Sequence, residues 1–175
     1  MAERNPYTLS FGRIPRCYIS RDVLISDIID DLCSEIPEDQ AFKLTGIRGT
    51  GKTVTLTAIE RELRENKDWI VIDLKSTADI TTDLVASLYN EVPFLTEYTD
   101  ASLNLSAFGI GLNIKKSSPI SSIDFALKKM LEHTRKKGKR VLLVIDEAMK
   151  TDALVDFIQE FQILIREELL IMNVI

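Results

Sequence analysis

Residues 46–53 read Gly-Ile-Arg-Gly-Thr-Gly-Lys-Thr. A turn of this composition can aim successive backbone N–H groups at one anion, and it ends on a mobile cation and a hydroxyl. The flanks fit the same purpose. Ala41-Phe42-Lys43-Leu44-Thr45 is a short, partly apolar run of the kind a buried parallel strand uses. After the loop, Leu56, Ile59 and Leu63 recur at helical spacing while Glu60, Arg61, Glu62, Arg64 and Glu65 take the other side. Strand, glycine loop and helix in that order put the positive end of a helix behind a bound phosphate. On this reading Gly46, Gly49, Thr50 and Gly51 form the cradle, Lys52 reaches the outer phosphates and Thr53 offers its hydroxyl to Mg²⁺. Arg48 is grouped with these binding residues, although at its variable position in the loop it can equally face solvent. The plainer alternative is a glycine-rich turn that only caps a helix.

The strongest strand comes some 90 residues later. Val141-Leu142-Leu143-Val144-Ile145 is an unbroken apolar run followed at once by Asp146-Glu147. Acidic residues at the carboxyl end of a buried parallel strand lie on the side where open α/β sheets bind ligands. Asp146 is therefore the candidate to orient the water shell of the Mg²⁺ that Thr53 also holds. Glu147 is the candidate to polarise a water in line with a γ-phosphate, and with Lys52 it makes up the catalytic pair. A strand that merely ends in polar residues would look the same in isolation.

The other segments alternate in the manner of an α/β fold. Trp69–Leu74 is rich in aromatic and β-branched residues and reads as a strand. A helix is expected over Thr82–Glu91, stopped by Pro93. From Thr99 to Ser118, Leu103 and Leu105 alternate with polar residues and then Phe108, Ile110, Leu112 and Ile114 alternate in the opposite phase, which predicts an inserted β-hairpin. Gly109-x-Gly111 within it reads as a strand irregularity. Helical spacing returns from Ile123 to Thr134, opened by Ser121-x-x-Asp124 and closed near Gly138, and again over Asp152–Arg166.

With 175 residues, 45% of them hydrophobic, the chain holds one domain with a sizeable core. The net charge of −5 argues against a generally DNA-coating protein; DNA stays open as a partner through a local basic site, but the charge gives it no support. Nucleotide is the expected partner, and a protein partner or self-association stays open. Cys17 and Cys33 lack metal-ligand spacing, so reduced thiols are expected. The start, MAERNPYTLS, has no apolar core of a leader peptide, and no run approaches the ~18 apolar residues that span a bilayer. The expectation is a cytoplasmic chain without a membrane. His133 reads as a structural residue, and Lys136-Lys137-Gly138-Lys139-Arg140 as a solvated helix end more than a nucleic-acid footprint.

Taken together, GIRGTGKT and VLLVIDE resemble the Walker A and Walker B motifs of the additional-strand, catalytic-glutamate P-loop ATPases, in particular the AAA+ and STAND-like group related to origin-recognition ATPases. The resemblance implies a three-layer P-loop core with a mostly parallel sheet of order 1-4-3-2, and an ATPase that couples turnover of ATP to ADP with Mg²⁺ to conformational change. It also implies that Tyr18, Ile19 and Arg21, in a Tyr-Ile-Ser-Arg-Asp segment ahead of a helix, line the adenine pocket. Residues 1–40 are then a flanking segment and helix, and 41–175 the ATPase core. Sensor, arginine finger and lid have no counterpart before Ile175, so a truncated core with weak turnover is expected. A nucleotide-gated switch with little turnover and a small-molecule kinase are the competing readings.

Overall fold

Runs of β-branched residues alternate with amphipathic stretches along this chain, and each becomes a strand or a helix according to its period. The computed structural model describes residues 21–75, 79–102, 105, 110, 122–148, 150–166 and 171–174. The helices are α1 (Asp22–Cys33), α2 (Lys52–Glu65), α3 (Ile80–Glu91), α4 (Pro93–Ser102), α5 (Ile123–Lys136) and α6 (Asp152–Arg166). The strands are β1 (Ala41–Phe42), β2 (Trp69–Leu74), β3 (Arg140–Ile145) and β4 (Ile171–Val174).

The described strands form one sheet in the order β1-β4-β3-β2, with every neighbouring pair parallel. β2 and β3 pair along their whole length, from Trp69 opposite Arg140 to Leu74 opposite Ile145. β4 pairs with β3 from Ile171 opposite Val141 and with β1 through Ala41 opposite Asn173. The period of two sorts the side chains to two faces. Trp69, Val71, Leu142 and Val144 pack with Ile25, Ile28, Ile29 and Leu32 of α1 and with Leu56, Ile59 and Leu63 of α2. Ile72, Leu74, Val141, Leu143 and Ile145 face the other core, which α3, α4, α5 and α6 complete. β3 is buried on both faces, which is why it reads as a continuous apolar run.

Three local expectations change. The strand expected over Ala41–Thr45 is only two residues long, with Ala41 opposite Asn173 and Phe42 opposite Val174. Pro93 ends one helix and begins another. At a first helical position its missing N–H costs nothing, and the N–H groups of Leu95 and Thr96 return to the Val92 carbonyl. As a result Thr99–Ser102, expected as the start of a hairpin, close α4 instead. Leu105 and Ile110 are buried in the α3-side core outside any strand, and the other residues of that expected hairpin lie outside the described ones. Finally, α5 is preceded by Ser122, whose hydroxyl bonds Asp124; Ser121 lies outside the described residues.

Two sequence readings gain a structural role. The His133 ring stacks on Tyr98 at 4.1 Å between centroids and lies 6.0 Å from Phe94, so it joins α5 to α4. Burial first, then Lys137 and Lys136, push its pKa down, which favours the neutral ring. Arg140 donates from Nη1 to the carbonyls of Leu32 and Ser34, both at 2.8 Å, and satisfies the C-terminal end of α1. Lys139 bonds the Lys67 carbonyl and lies near Asp68. Part of the basic run therefore serves the fold. Cys33 is a free, exposed thiol, and Cys17 lies outside the described residues.

Candidate functional site

β1 leads into residues 43–47 without regular structure, then a turn at Arg48-Gly49, and α2 starts at Lys52. Gly49 and Gly51 sit at φ +87° and +86°, in the left-handed region that side chains rarely adopt. Gly46 is constrained differently: a Cβ there would lie 2.8 Å from Thr50 Oγ1, so Thr50 would have to shift. Thr50 holds the loop closed, since its N–H and its hydroxyl both donate to the Ile47 carbonyl, at 3.3 and 2.9 Å. Lys52 Nζ folds back onto the carbonyls of Gly46 and Ile47, at 2.8 and 3.3 Å. The N–H groups of Arg48, Gly49 and Gly51 donate to no backbone carbonyl among the described residues. These amides, with the first-turn amides of α2, are the donor set that a phosphate needs. Arg48 is exposed in the turn.

Behind the loop the helix is tied down by its threonines. Thr55 returns both its N–H and its hydroxyl to the Gly51 carbonyl, and the Thr57 hydroxyl bonds the Thr53 carbonyl. Thr53 is partly buried in the first turn of α2.

Because β1 and β3 run the same way in one sheet, the loop after β1 and the residues after β3 emerge on the same edge. Asp146 and Glu147 follow β3 directly. Glu147 takes φ +54°, the positive-φ non-glycine residue among those described. That conformation costs about 1–2 kcal/mol for an ordinary side chain. Asp146 offsets part of it, because its Oδ1 accepts the Glu147 N–H at 2.9 Å. A strained residue held by its neighbour's carboxylate is typical of positions where function dictates the backbone.

Two more carboxylates, Glu60 and Asp73, lie near Asp146, and neither is among the candidate site residues named from the sequence. Glu60 of α2 was expected on the solvent side; it is half-buried, and burial, Asp73 and Asp146 push its pKa up while Arg64 pulls it down. Asp73 of β2 is raised mainly by burial and also by Asp146, again opposed by Arg64. Arg64 and Glu60 form an ion pair at 3.8 Å. The signals were present: Asp73 interrupts an apolar strand on the face that carries Val71, and Glu60 lies four residues after Leu56 on the apolar stripe. The result is a negative field at the sheet edge beside a cradle of donors. A polyphosphate with its divalent cation suits that combination better than a bare anion.

Arg21 is the described member of the expected adenine-pocket trio; Tyr18 and Ile19 lie outside the described residues. Its Nη2 donates to the Thr50 carbonyl at 2.6 Å, so it meets the phosphate loop. Among the described residues, no group of three His, Cys, Asp or Glu residues could hold a metal ion by itself, and no helix is long and apolar enough to cross a membrane.

Comparison with known families matches residues 21–108 to the KAP family P-loop domain. That span contains the glycine loop, α2, β2 and α3. No curated protein matches the chain.

Proposed function

The chain belongs to the KAP family of P-loop domains, and from that premise we propose that it binds Mg·ATP and hydrolyses it to drive a conformational change. A P-loop nucleotide-binding domain is what the family match carries; ATP as the nucleotide, hydrolysis and the likeness to AAA+ and STAND-like ATPases are this proposal's own. The observation that supports it most is the shared sheet edge: the donor loop of Gly46–Thr53 after β1, and Asp146-Glu147 after β3.

In this reading the amides of Arg48, Gly49 and Gly51 and the start of α2 bind the phosphates. Lys52 exchanges the Gly46 and Ile47 carbonyls for phosphate oxygens. Thr53 and Asp146 would hold Mg²⁺, which supplies charge neutralisation between the phosphates. One or two protein oxygens completed by phosphate oxygens and water is the coordination that ion favours. Glu147 orients a water and accepts its proton, and Tyr18 and Ile19 contribute to the base pocket. Asp146-Glu147 directly after β3 suits activation of a water better than transfer to an acceptor, so hydrolysis is preferred to the kinase alternative.

The test is calorimetric titration with ATP and ADP, with and without Mg²⁺, followed by measurement of phosphate release. Binding with release supports the hydrolase. Binding without release supports the nucleotide-gated switch. No binding of either nucleotide would remove both.

A further inference from the structure

Arg21 and Thr50 are 29 residues apart in sequence, yet the guanidinium Nη2 of one donates to the main-chain oxygen of the other at 2.6 Å. The base of Arg21 is fixed, since its own carbonyl accepts the Ile25 N–H at 3.0 Å and α1 packs on α2 through Ile25, Ile28, Ile29 and Leu32. Thr50 is equally committed, with its N–H and hydroxyl both on the Ile47 carbonyl. Its remaining main-chain group is the oxygen that Arg21 grips. That oxygen belongs to the Thr50–Gly51 peptide. In a planar trans peptide the N–H points opposite to the C=O, so whatever fixes the Thr50 oxygen also fixes the direction of the Gly51 N–H. Gly51 has no side chain and sits at φ +86°, so by itself this peptide is free to rotate. The Gly51 N–H donates to no backbone carbonyl among the described residues.

We propose that Arg21 is a positioning residue for the phosphate loop: by holding the Thr50 oxygen it presents the Gly51 N–H to bound phosphate, and it does not itself contact the base. This rests on the nucleotide-binding reading above and deepens it. It replaces the adenine-pocket role that the resemblance implied for Arg21, and it makes α1 part of the phosphate site. The required chemistry is a group that donates to a carbonyl from the α1 end. Arginine suits it through its rigid fork, and lysine can replace it in part.

The experiment compares the wild-type chain with Arg21→Met, which keeps the aliphatic stem and loses the donor, and with Arg21→Lys. Affinities are measured for ATP, ADP and inorganic tripolyphosphate. Because the defect lies in a donor common to all three ligands, Arg21→Met should weaken each by a similar factor of about ten, and Arg21→Lys should recover part of it. In the ligand-free Arg21→Met chain the Gly51 amide resonance should broaden or shift while resonances of the β2 and β3 core stay in place. Loss confined to ATP and ADP, with tripolyphosphate unaffected, would return Arg21 to the base pocket and overturn the proposal. Loss for ATP but not for ADP would place it on the γ-phosphate and overturn it too. Unchanged affinities would do the same. If the wild-type chain binds none of the three, the nucleotide reading itself fails and this inference falls with it.

Discussion

Lys52 Nζ donates to the carbonyl of Gly46, six residues earlier in the same loop, at 2.8 Å. The cation thus closes the loop over the space where phosphate would sit, and a phosphate must offer it more than two backbone carbonyls do. A charge-assisted contact to phosphate is that stronger partner. Lys52→Ala should weaken ATP and ADP binding by at least ~2 kcal/mol, read by calorimetry. Unchanged affinity for both would refute the phosphate-loop assignment.

Gly46 faces the Thr50 hydroxyl at a distance that leaves no room for a methyl group. Gly46→Ala should therefore displace Thr50 and lower nucleotide affinity by about tenfold, with little change in thermal midpoint, because Gly46 is exposed. In a Thr50→Ala background, which removes the clashing oxygen, the same substitution should cost distinctly less. Strict additivity of the two changes in a double-mutant cycle would contradict this account.

Glu147→Gln keeps the side-chain shape and the positive φ but removes the base. Affinity for Mg·ATP should stay near wild type while phosphate release falls by ~10² or more. Loss of binding as well as turnover would instead give Glu147 a structural role.

Glu160 links α6 to α3 and α5. Burial, with the Asp124 carboxylate hydrogen-bonded beside it, pushes its pKa up to about 7 from the ordinary 4.5, while a hydrogen bond from the Thr81 hydroxyl acts the other way. The folded chain therefore keeps a proton that the unfolded chain releases. Stability from this site is full below about pH 4.5, is lost as the pH rises to about 7, and is flat above that. Glu160→Gln should flatten this slope and stabilise the chain at pH 8 by about 1 kcal/mol, after allowance for solvent screening of a partly exposed group. Denaturant titrations at pH 5 and pH 8 measure it; an equal slope in both proteins would sink the idea.

Arg140 carries the C-terminal end of α1 on two hydrogen bonds and lies over the Trp69 ring at 5.8 Å. Arg140→Ala should cost about 2 kcal/mol in unfolding free energy, through two unsatisfied carbonyls and lost packing. Arg140→Lys should recover little, since an ammonium lacks the planar group that stacks on the indole. Full recovery by lysine would show that charge alone matters there.

How much of this could be read from residues alone follows from the range of the forces involved. The glycine loop was legible because its chemistry is local: Gly49 and Gly51 need positive φ, and Lys52 and Thr53 follow in the next turn. β3 was legible because burial on both faces leaves five apolar residues in a row, and the acidic pair after it was legible as a strand end. Period alone did not mark α4: the region expected to hold the hairpin starts at Thr99, but a helix begun at Pro93 runs through Thr99–Ser102. Period also names a face without naming what covers it. That is why period puts Glu60 on the solvent side, although it lies near Asp73 on the sheet face that α2 covers. The grip of Arg21 on Thr50 and the support of α1 by Arg140 join residues 29 and 108 positions apart. Contacts of that span cost loop closure and are won only when whole faces pack. Local sequence determined which elements form and where phosphate chemistry can reside, while tertiary packing decided which side chains reach it, because only packing brings distant backbone carbonyls and carboxylates within bonding distance.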